Sequence, residues 1–157
     1  GNKLFSTHLR NYDVNVVTMD INENLNPVYV KDISAPNAVG CLKECFDCVC
    51  AFEVLEHIPE SRVEQALENI YNLTTKYVVI SLPFRQRSIN FLTSIRQFRS
   101  FGFYLPFKRA MAKAHYWEVD FDNLNDIINK FSRYFKRIEY KFPIYNRNHI
   151  FFIMEKR

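Results

Sequence analysis

Glycine is scarce in this sequence of 157 residues, which contains only Gly1, Gly40 and Gly102. Long apolar runs are also missing, since none approaches the roughly 20 residues that a membrane-spanning helix needs. Residues 1–5 show neither the basic start nor the apolar stretch of a secretory signal peptide, and no period of about 20–50 residues recurs. These absences argue against a membrane span, a secreted protein and a solenoid, and we expect a cytoplasmic globular protein.

Cysteine is present but confined to one stretch, where four residues lie within ten positions: Cys41, Cys45, Cys48 and Cys50. Such crowding makes a metal site or a redox pair a possible interpretation. Structural zinc sites, however, usually join two ligand pairs across a longer loop. Cys48 and Cys50 flank Val49 in an apolar run, so on a strand they would share one face as small buried residues. The sequence therefore predicts core packing for them, and no metal site is expected.

Apolar patterning predicts alternating strands and helices in a chain of one domain's length. Strands are predicted at 14–19, 28–30, 47–52, 77–82, 137–142 and 150–155. Helices are predicted at 59–71 and 121–131, where apolar residues recur at helical spacing. Continuous apolar strands between helices are typical of an α/β fold with a doubly wound, mostly parallel sheet and helices on both faces. The last two strands are joined by a short loop, so the C-terminal strand is expected to be antiparallel.

Acidic residues stand at the ends of three predicted strands, namely Asp20, Asp32 and Glu53. In an open parallel sheet, ligands bind beyond the carboxyl ends of the strands. A carboxylate has two acceptor oxygens, so an acid at such a strand end can hold both hydroxyls of a ribose. The alternative for Asp20 is a turn with Asn22, and the alternative for Asp32 is a turn or a helix cap.

The segment 46–59 reads Phe-Asp-Cys-Val-Cys-Ala-Phe-Glu-Val-Leu-Glu-His-Ile-Pro. It resembles the fourth-strand motif of the class I S-adenosylmethionine-dependent methyltransferases. The surrounding order is similar as well, with 17–21 and 32–33 upstream and 77–83 downstream. The tetrad His-Tyr-Trp-Glu at 115–118 is common in one branch of these enzymes. The resemblance implies a Rossmann-like fold and S-adenosyl-L-methionine as the cofactor.

The resemblance also implies roles for single residues. Asp20 should hold the ribose diol, with Ile21 packing on the adenine. Asp32 should face the exocyclic amine of the adenine, with the backbone of Ile33 nearby. Two further residues should lie beside the cofactor where the fourth strand ends, Phe52 and Glu53.

A glycine-rich loop should follow the first strand in this family, because bare backbone amides there approach the methionine end of the cofactor. Gly1 is expected to be the last glycine of that loop, with 3–10 as the next helix; the alternative is a residue left by tag removal. In the first case the first strand and most of the loop would precede Gly1, and in both cases the cofactor site of this polypeptide would be incomplete. The hypothesis that follows is weak cofactor binding by this polypeptide alone, and micromolar affinity in calorimetry would contradict it.

Methyl transfer from a sulfonium mainly needs proximity and alignment, because the leaving group is already activated. A base is needed only when the acceptor must lose a proton. His57 and His115 are the candidates, since histidine titrates near neutral pH, and a structural role is the alternative for each. Glu56 is expected to be solvated or to cap a helix.

The segment 84–117 is basic and aromatic. It contains seven basic and no acidic residues, so that in a chain of net charge +4 the remainder carries −3. Its position corresponds to an insertion that covers the substrate in the enzymes it resembles, which favours a lid or substrate pocket. Ile89, Leu92 and Ile95 recur at helical spacing, and a basic amphipathic helix within 84–113 would favour contact with a membrane surface. Nucleic-acid binding and a mobile loop whose aromatic residues pack on the missing N-terminal portion are the remaining alternatives, with nucleic acid the less favoured partner.

Two functions are compatible with these features. The first is a single methyltransferase-like domain, 1–157, that transfers a methyl group to a small-molecule or lipid-like acceptor. The second is a methyltransferase-like binding or assembly module without catalytic activity. The sequence predicts no oligomeric state.

Overall fold

A computed structural model describes residues 3–93, 101–108, 110–143 and 148–157, with the backbone alone described for 86–93 and 101–108. Its helices are α1 (Leu4–Arg10), α2 (Glu60–Leu73) and α3 (Leu124–Ser132). Its first four strands are β1 (Met19–Asp20), β2 (Tyr29–Val30), β3 (Phe46–Phe52) and β4 (Thr74–Pro83). The others are β5 (Gln86–Thr93), β6 (Phe101–Lys108), β7 (Phe135–Lys141) and β8 (His149–Lys156).

The main sheet has four strands in the order β3-β4-β8-β7. Strands β3 and β4 are parallel, whereas β8 is antiparallel to both of its neighbours. It follows that β3, β4 and β7 run in one direction and that β8 is the single reversed strand. The predicted mostly parallel sheet with an antiparallel C-terminal strand is therefore confirmed. Strands β1 and β2 form a separate parallel pair, in which Asp20 lies opposite Val30.

Helices cover both faces of the main sheet. One face carries a row of fully buried residues from β4 and β8, which includes Ile80 and Phe152. Apolar residues of α2 and α3, such as Leu67 and Phe131, join this row in one core cluster. On the opposite face, Phe52 stacks edge-on against Phe5 of α1 with ring centroids 5.1 Å apart. Successive side chains of β3 point to opposite faces of the sheet. The residues that follow β3 therefore lie between α1 on one face and α2 and α3 on the other.

The cysteine prediction is wrong. All four cysteines are exposed, and Cys48 and Cys50 lie side by side on β3 with their sulfur atoms 3.9 Å apart. The reason is topological: β3 is an edge strand of the four-stranded sheet, and on the face that both cysteines share with Phe52, α1 contacts Phe52 at the end of the strand. The predicted strand at 14–19 is also too long, because β2 offers partners only to Met19 and Asp20.

The segment 86–93 is a strand, so the helix expected from Ile89, Leu92 and Ile95 is wrong over this range. Strand β5 pairs in an antiparallel hairpin with β6, and the register sets Ile89 opposite Leu105 and Phe91 opposite Phe103. Aromatic and β-branched residues favour strands, and here their two-residue alternation outweighs the weaker helical spacing. Ile95 lies outside the described residues. Among the described helices, none is long and apolar enough to cross a membrane.

Candidate functional site

Asp20 ends β1, and its side chain begins the loop that follows. The backbone amide of Asn22 donates to Asp20 Oδ1 over 2.9 Å, which is the turn geometry named as the alternative to ribose binding. A carboxylate has about four lone-pair positions, so this bond is compatible with further donors. The next residue, Ile21, is an isolated apolar side chain with 69% of its surface exposed. The ribose role of Asp20 and the adenine role of Ile21 stay predictions from the resemblance.

Asp32 follows β2 and is held by its own loop and by α2. The Ser34 hydroxyl and amide donate to Asp32 Oδ1 over 2.7 and 2.8 Å, and Arg62 donates to Oδ2 over 3.2 Å. The bond from the Ser34 hydroxyl is the main cause that holds the pKa of Asp32 below its usual value, with Arg62 adding to it. The turn role of Asp32 is thus present, and an adenine amine would have to join or displace these donors.

The backbone of Ile33 is held by a hydrogen bond from helix α2. The buried side chain of Asn69 donates to the carbonyls of Ile33 and Ala35 over 2.7 and 2.8 Å. The side chain of Ile33 packs against the main core. Helix α2 therefore determines where the backbone of this loop lies.

Glu53 comes directly after β3 and connects three strands. Its Oε1 accepts from the hydroxyl of Ser81 on β4 over 2.9 Å and lies 3.0 Å from Nδ1 of His149 on β8. Its backbone has a φ of 53°, in the left-handed region that a side chain with a Cβ rarely adopts. Phe52, beside it, contacts Phe151 of β8 as well as Phe5. The strained backbone turns the chain sharply at the carboxyl end of the sheet.

Glu56 is fully buried, so its predicted solvated position is wrong. It lies in a short 3-10 turn, Leu55–His57, that leads into α2. Burial raises the pKa of Glu56 to about 8, and the neighbouring carboxylates of Glu53 and Glu118 add to this effect. Neither carboxylate oxygen of Glu56 has a hydrogen-bond partner among the described residues. Its polar side chain faces inward because the turn carries Leu55 and Ile58 into the core.

The two candidate histidines lie together. The rings of His57 and His115 stack edge-on with centroids 4.9 Å apart. His57 Nδ1 lies 3.0 Å from the carbonyl oxygen of Ala114, and His115 Nδ1 lies 2.6 Å from Oε1 of the buried Glu118. A carbonyl only accepts, and so does an ionised carboxylate, so Nδ1 carries the proton in each ring. In the neutral form of each ring, Nε2 is then the nitrogen with a lone pair.

The segment that carries His115 is anchored to the Glu56 turn. The amide of Tyr116 donates to the Glu56 carbonyl over 2.9 Å. The indole of Trp117 donates to the carbonyl of Ile58 over 3.1 Å. These bonds bring residues some 60 positions apart in the chain into one cluster.

The structure thus brings Glu53, Glu56, His57 and His115 to one end of the sheet, while Gly1 lies outside the described residues. Asp20 and Asp32 occupy neighbouring positions on the β1–β2 pair, where the Lys31 amide donates to the Asp20 carbonyl. Sequence reasoning missed three residues of the site, Ser81, Glu118 and His149. Only Glu118 had a signal, because it stands three residues after His115 in the quoted tetrad.

No protein-family model matches the sequence, and no curated protein matches it. Solved structures do. A SAM-dependent methyltransferase from Archaeoglobus fulgidus superposes with a TM-score of 0.65 at 13% identity, covering 97% of this chain and 80% of that one. The PH0226 protein from Pyrococcus horikoshii OT3 superposes with a TM-score of 0.61 at 13% identity, and the match covers 98% of this chain and 78% of that one.

The small RNA methyltransferase HEN1 superposes with a TM-score of 0.56 at 16% identity, and the match covers 99% of this chain but 18% of that one. At such low identity these similarities bear on the fold. They agree with the resemblance in the sequence and with the sheet topology described above. The chain has the Rossmann-like fold of the class I S-adenosylmethionine-dependent methyltransferases.

Proposed function

We propose that this protein transfers a methyl group from S-adenosyl-L-methionine to a small-molecule or lipid-like acceptor. The observation that carries the proposal is the position of three acids at the carboxyl ends of parallel strands of this fold: Asp20 is the last residue of β1, Asp32 follows β2 after one residue, and Glu53 directly follows β3. Ligands of doubly wound sheets bind at this edge. The similar structure from Archaeoglobus fulgidus, described as a SAM-dependent methyltransferase, supports the same cofactor.

The cofactor would be held mainly through its nucleoside. Asp20 is proposed to accept from the ribose hydroxyls, and the exposed side chain of Ile21 to pack on the adenine. Asp32 and the backbone of Ile33 are proposed to lie at the adenine edge. At the end of β3, Phe52 and Glu53 are proposed to lie beside the bound cofactor. Gly1 is proposed to lie near its methionine end.

When bound, the cofactor supplies an activated methyl group, and the protein's part is to align the acceptor with it. An acceptor that must first lose a proton would be served by a group near this edge. His57 and His115 lie there with Nδ1 of each ring engaged. Glu118 is suited to orient His115, as buried carboxylates do for catalytic histidines.

Calorimetry with S-adenosylmethionine and the full-length protein tests the cofactor site. Asp20→Ala is expected to weaken binding about 10- to 100-fold, because hydrogen bonds to a charged group contribute about 1.5–3 kcal/mol. The control is Asp13→Asn, which removes an exposed carboxylate charge from a loop before β1. Unchanged affinity in Asp20→Ala would remove the central support for the proposal.

Transfer of a labelled methyl group tests the acceptor class. Three pools are compared: a small-molecule extract, lipid vesicles and small RNA, the last because one similar structure is a small RNA methyltransferase. Label in the first or second pool supports the proposal, and label in RNA alone contradicts the acceptor class. Cofactor binding without transfer to any pool favours the non-catalytic binding module.

A further inference from the structure

We propose that Glu56, His57 and His115 form a binding site for one divalent transition-metal ion. One ligand atom from each of the three residues lies within 4.8 Å of the others. Two imidazoles and one carboxylate are a common protein ligand set for Zn²⁺ and Fe²⁺, and three protein ligands leave positions open for water or another oxygen. His57 and His115 are also the candidate proton acceptors of the proposed methyl transfer, but all three ligands come from this chain, so binding of the ion can be tested without S-adenosylmethionine.

The buried carboxylate of Glu56 is the strongest reason for a cation. Its side chain has no exposed surface, and neither oxygen meets a hydrogen-bond donor among the described residues. A buried polar group without a partner costs free energy, and a buried ionised carboxylate costs far more unless a positive charge balances it. A metal ion between Glu56 and the two rings supplies that charge.

The second reason is the way in which the histidines are held. The Ala114 carbonyl accepts from His57 Nδ1, and the Glu118 carboxylate accepts from His115 Nδ1. Metal-binding histidines almost always donate their other ring N–H to a carbonyl or carboxylate, which fixes the tautomer and the ring orientation. Both rings therefore have the outer partners that a ligand histidine needs, and Nε2 is left for the metal.

The distances are close to those of a metal site. His57 Nε2 and Glu56 Oε1 are 4.0 Å apart. Two ligand atoms that are each about 2.1 Å from one ion lie at most about 4.2 Å apart. At the tetrahedral angle the two atoms would be about 3.4 Å apart, so a pair separated by 4.8 Å has to close by about 1.4 Å. The side chain of His57 is 47% exposed and has room to make this movement.

Nitrogen ligands decide the class of metal. Imidazole suits Zn²⁺, Fe²⁺ and Ni²⁺, whereas Mg²⁺ and Ca²⁺ take oxygen ligands. The nearby carboxylates of Glu53 and Glu118 add negative charge around the ion. In the metal-bound state His57 and His115 are ligands and not proton acceptors.

The test is a Co²⁺ titration followed by visible absorption, in tag-free full-length protein without cofactor. All four exposed cysteines are first replaced by serine, because thiolates would also bind the probe. We expect one equivalent to bind, with Zn²⁺ displacing it and excess Mg²⁺ leaving it in place. His57→Ala and His115→Ala are each expected to weaken binding at least about tenfold.

His8→Ala is the matched control, since His8 is an exposed histidine on α1. Glu118→Gln keeps the size of the side chain but removes the charge that orients His115, and is expected to weaken binding about 10- to 100-fold. The proposal is overturned if the cysteine-free protein shows no saturable Co²⁺ binding. It is also overturned if Co²⁺ binding is unchanged in both His57→Ala and His115→Ala. Because no S-adenosylmethionine is added, the result stands whether or not methyl transfer is found.

Discussion

Two glutamates three positions apart have opposite surroundings. Glu53 accepts from Ser81 and lies beside His149, and its side chain is 36% exposed. Glu56 is fully buried and meets no donor among the described residues. The difference arises because Glu53 leaves the end of a strand, whereas Glu56 sits in a turn that packs into the core. The same residue type is thus a hydrogen-bonded, partly exposed acceptor in one place and a buried carboxyl with a raised pKa in the other.

Asp32 gives a prediction about pH. Its pKa is lowered in the folded protein, chiefly by the Ser34 hydroxyl, so its charge stabilises the fold above the unfolded pKa of about 3.9. This stabilisation is lost as the pH falls through the folded pKa. Asp32→Asn is expected to lower the free energy of unfolding by about 1 kcal/mol at pH 7. Urea denaturation should show the difference shrinking below about pH 4.

The matching control is Asp13→Asn, which changes an exposed aspartate with φ 59°, a conformation that asparagine accepts. A difference for Asp32→Asn that stays constant from pH 7 to pH 3 contradicts the assignment.

At this scale the sequence predicts strand-end acids well, because Asp20 and Glu53 follow apolar runs that are visible along the chain. It does not predict their partners. Ser81 and His149 lie 28 and 96 positions from Glu53, and only the folded sheet brings them together. The burial of Glu56 was missed for a related reason, since it depends on the segment 112–118 packing over the turn.

Among the elements, α2 makes many of the connections between parts of the fold. Arg62 pairs with Asp32 after β2, and Asn69 holds the carbonyls that follow. On another side, Glu60 and Glu64 pair with Lys130 of α3 and with Arg133. These exposed pairs contribute little each, so the apolar face of α2 and its buried Asn69 account for most of its stabilising effect.

Asn69→Ala is expected to lower the free energy of unfolding by about 1–3 kcal/mol, because it removes the buried donor of the partly buried carbonyls of Ile33 and Ala35. It should also weaken S-adenosylmethionine binding if the loop carries the adenine contact. Chemical denaturation and calorimetry measure the two effects. Asn125→Ala, at an exposed position of α3, is the control and should stay within about 0.5 kcal/mol. Equal losses in both variants would contradict the role of Asn69.

Element prediction succeeds where strands are continuous apolar runs, as for β3, β4 and β8. It fails for the hairpin of β5 and β6. The spacing of Ile89 and Leu92 fits a helix, but these residues pair with Leu105 and Gly102 of β6, and this pairing is not visible in the spacing of one segment. It also overextends β1, because strand length depends on how many partners β2 offers. The sequence of one strand does not show how long the neighbouring strand in the sheet will be.

For the whole molecule, charge is unevenly distributed along the chain. The segment 84–117 carries seven basic residues, while the remainder has a net charge of −3. Such a concentration attracts polyanions over distances comparable to the Debye length. We expect Arg96→Ser with Arg99→Ser to lower the salt concentration needed for elution from heparin.

Lys43→Ser with Lys136→Ser removes the same charge from exposed positions outside the segment and is the control. The first pair should shift elution more than the second. Equal shifts would show that net charge, and not its clustering in 84–117, governs the interaction.

Strand β8 has a consequence for synthesis. It follows the other described strands in sequence, yet it pairs on one side with β4 and on the other with β7. On the ribosome, β3 and β4 emerge early and can pair, but β7 has no place in the sheet until residues 149–156 have left the exit tunnel. At about 5–20 residues per second this interval lasts seconds. During it, the buried row of β4 and the inner face of α3 are exposed together, and a nascent chain in this state is a natural client for chaperones.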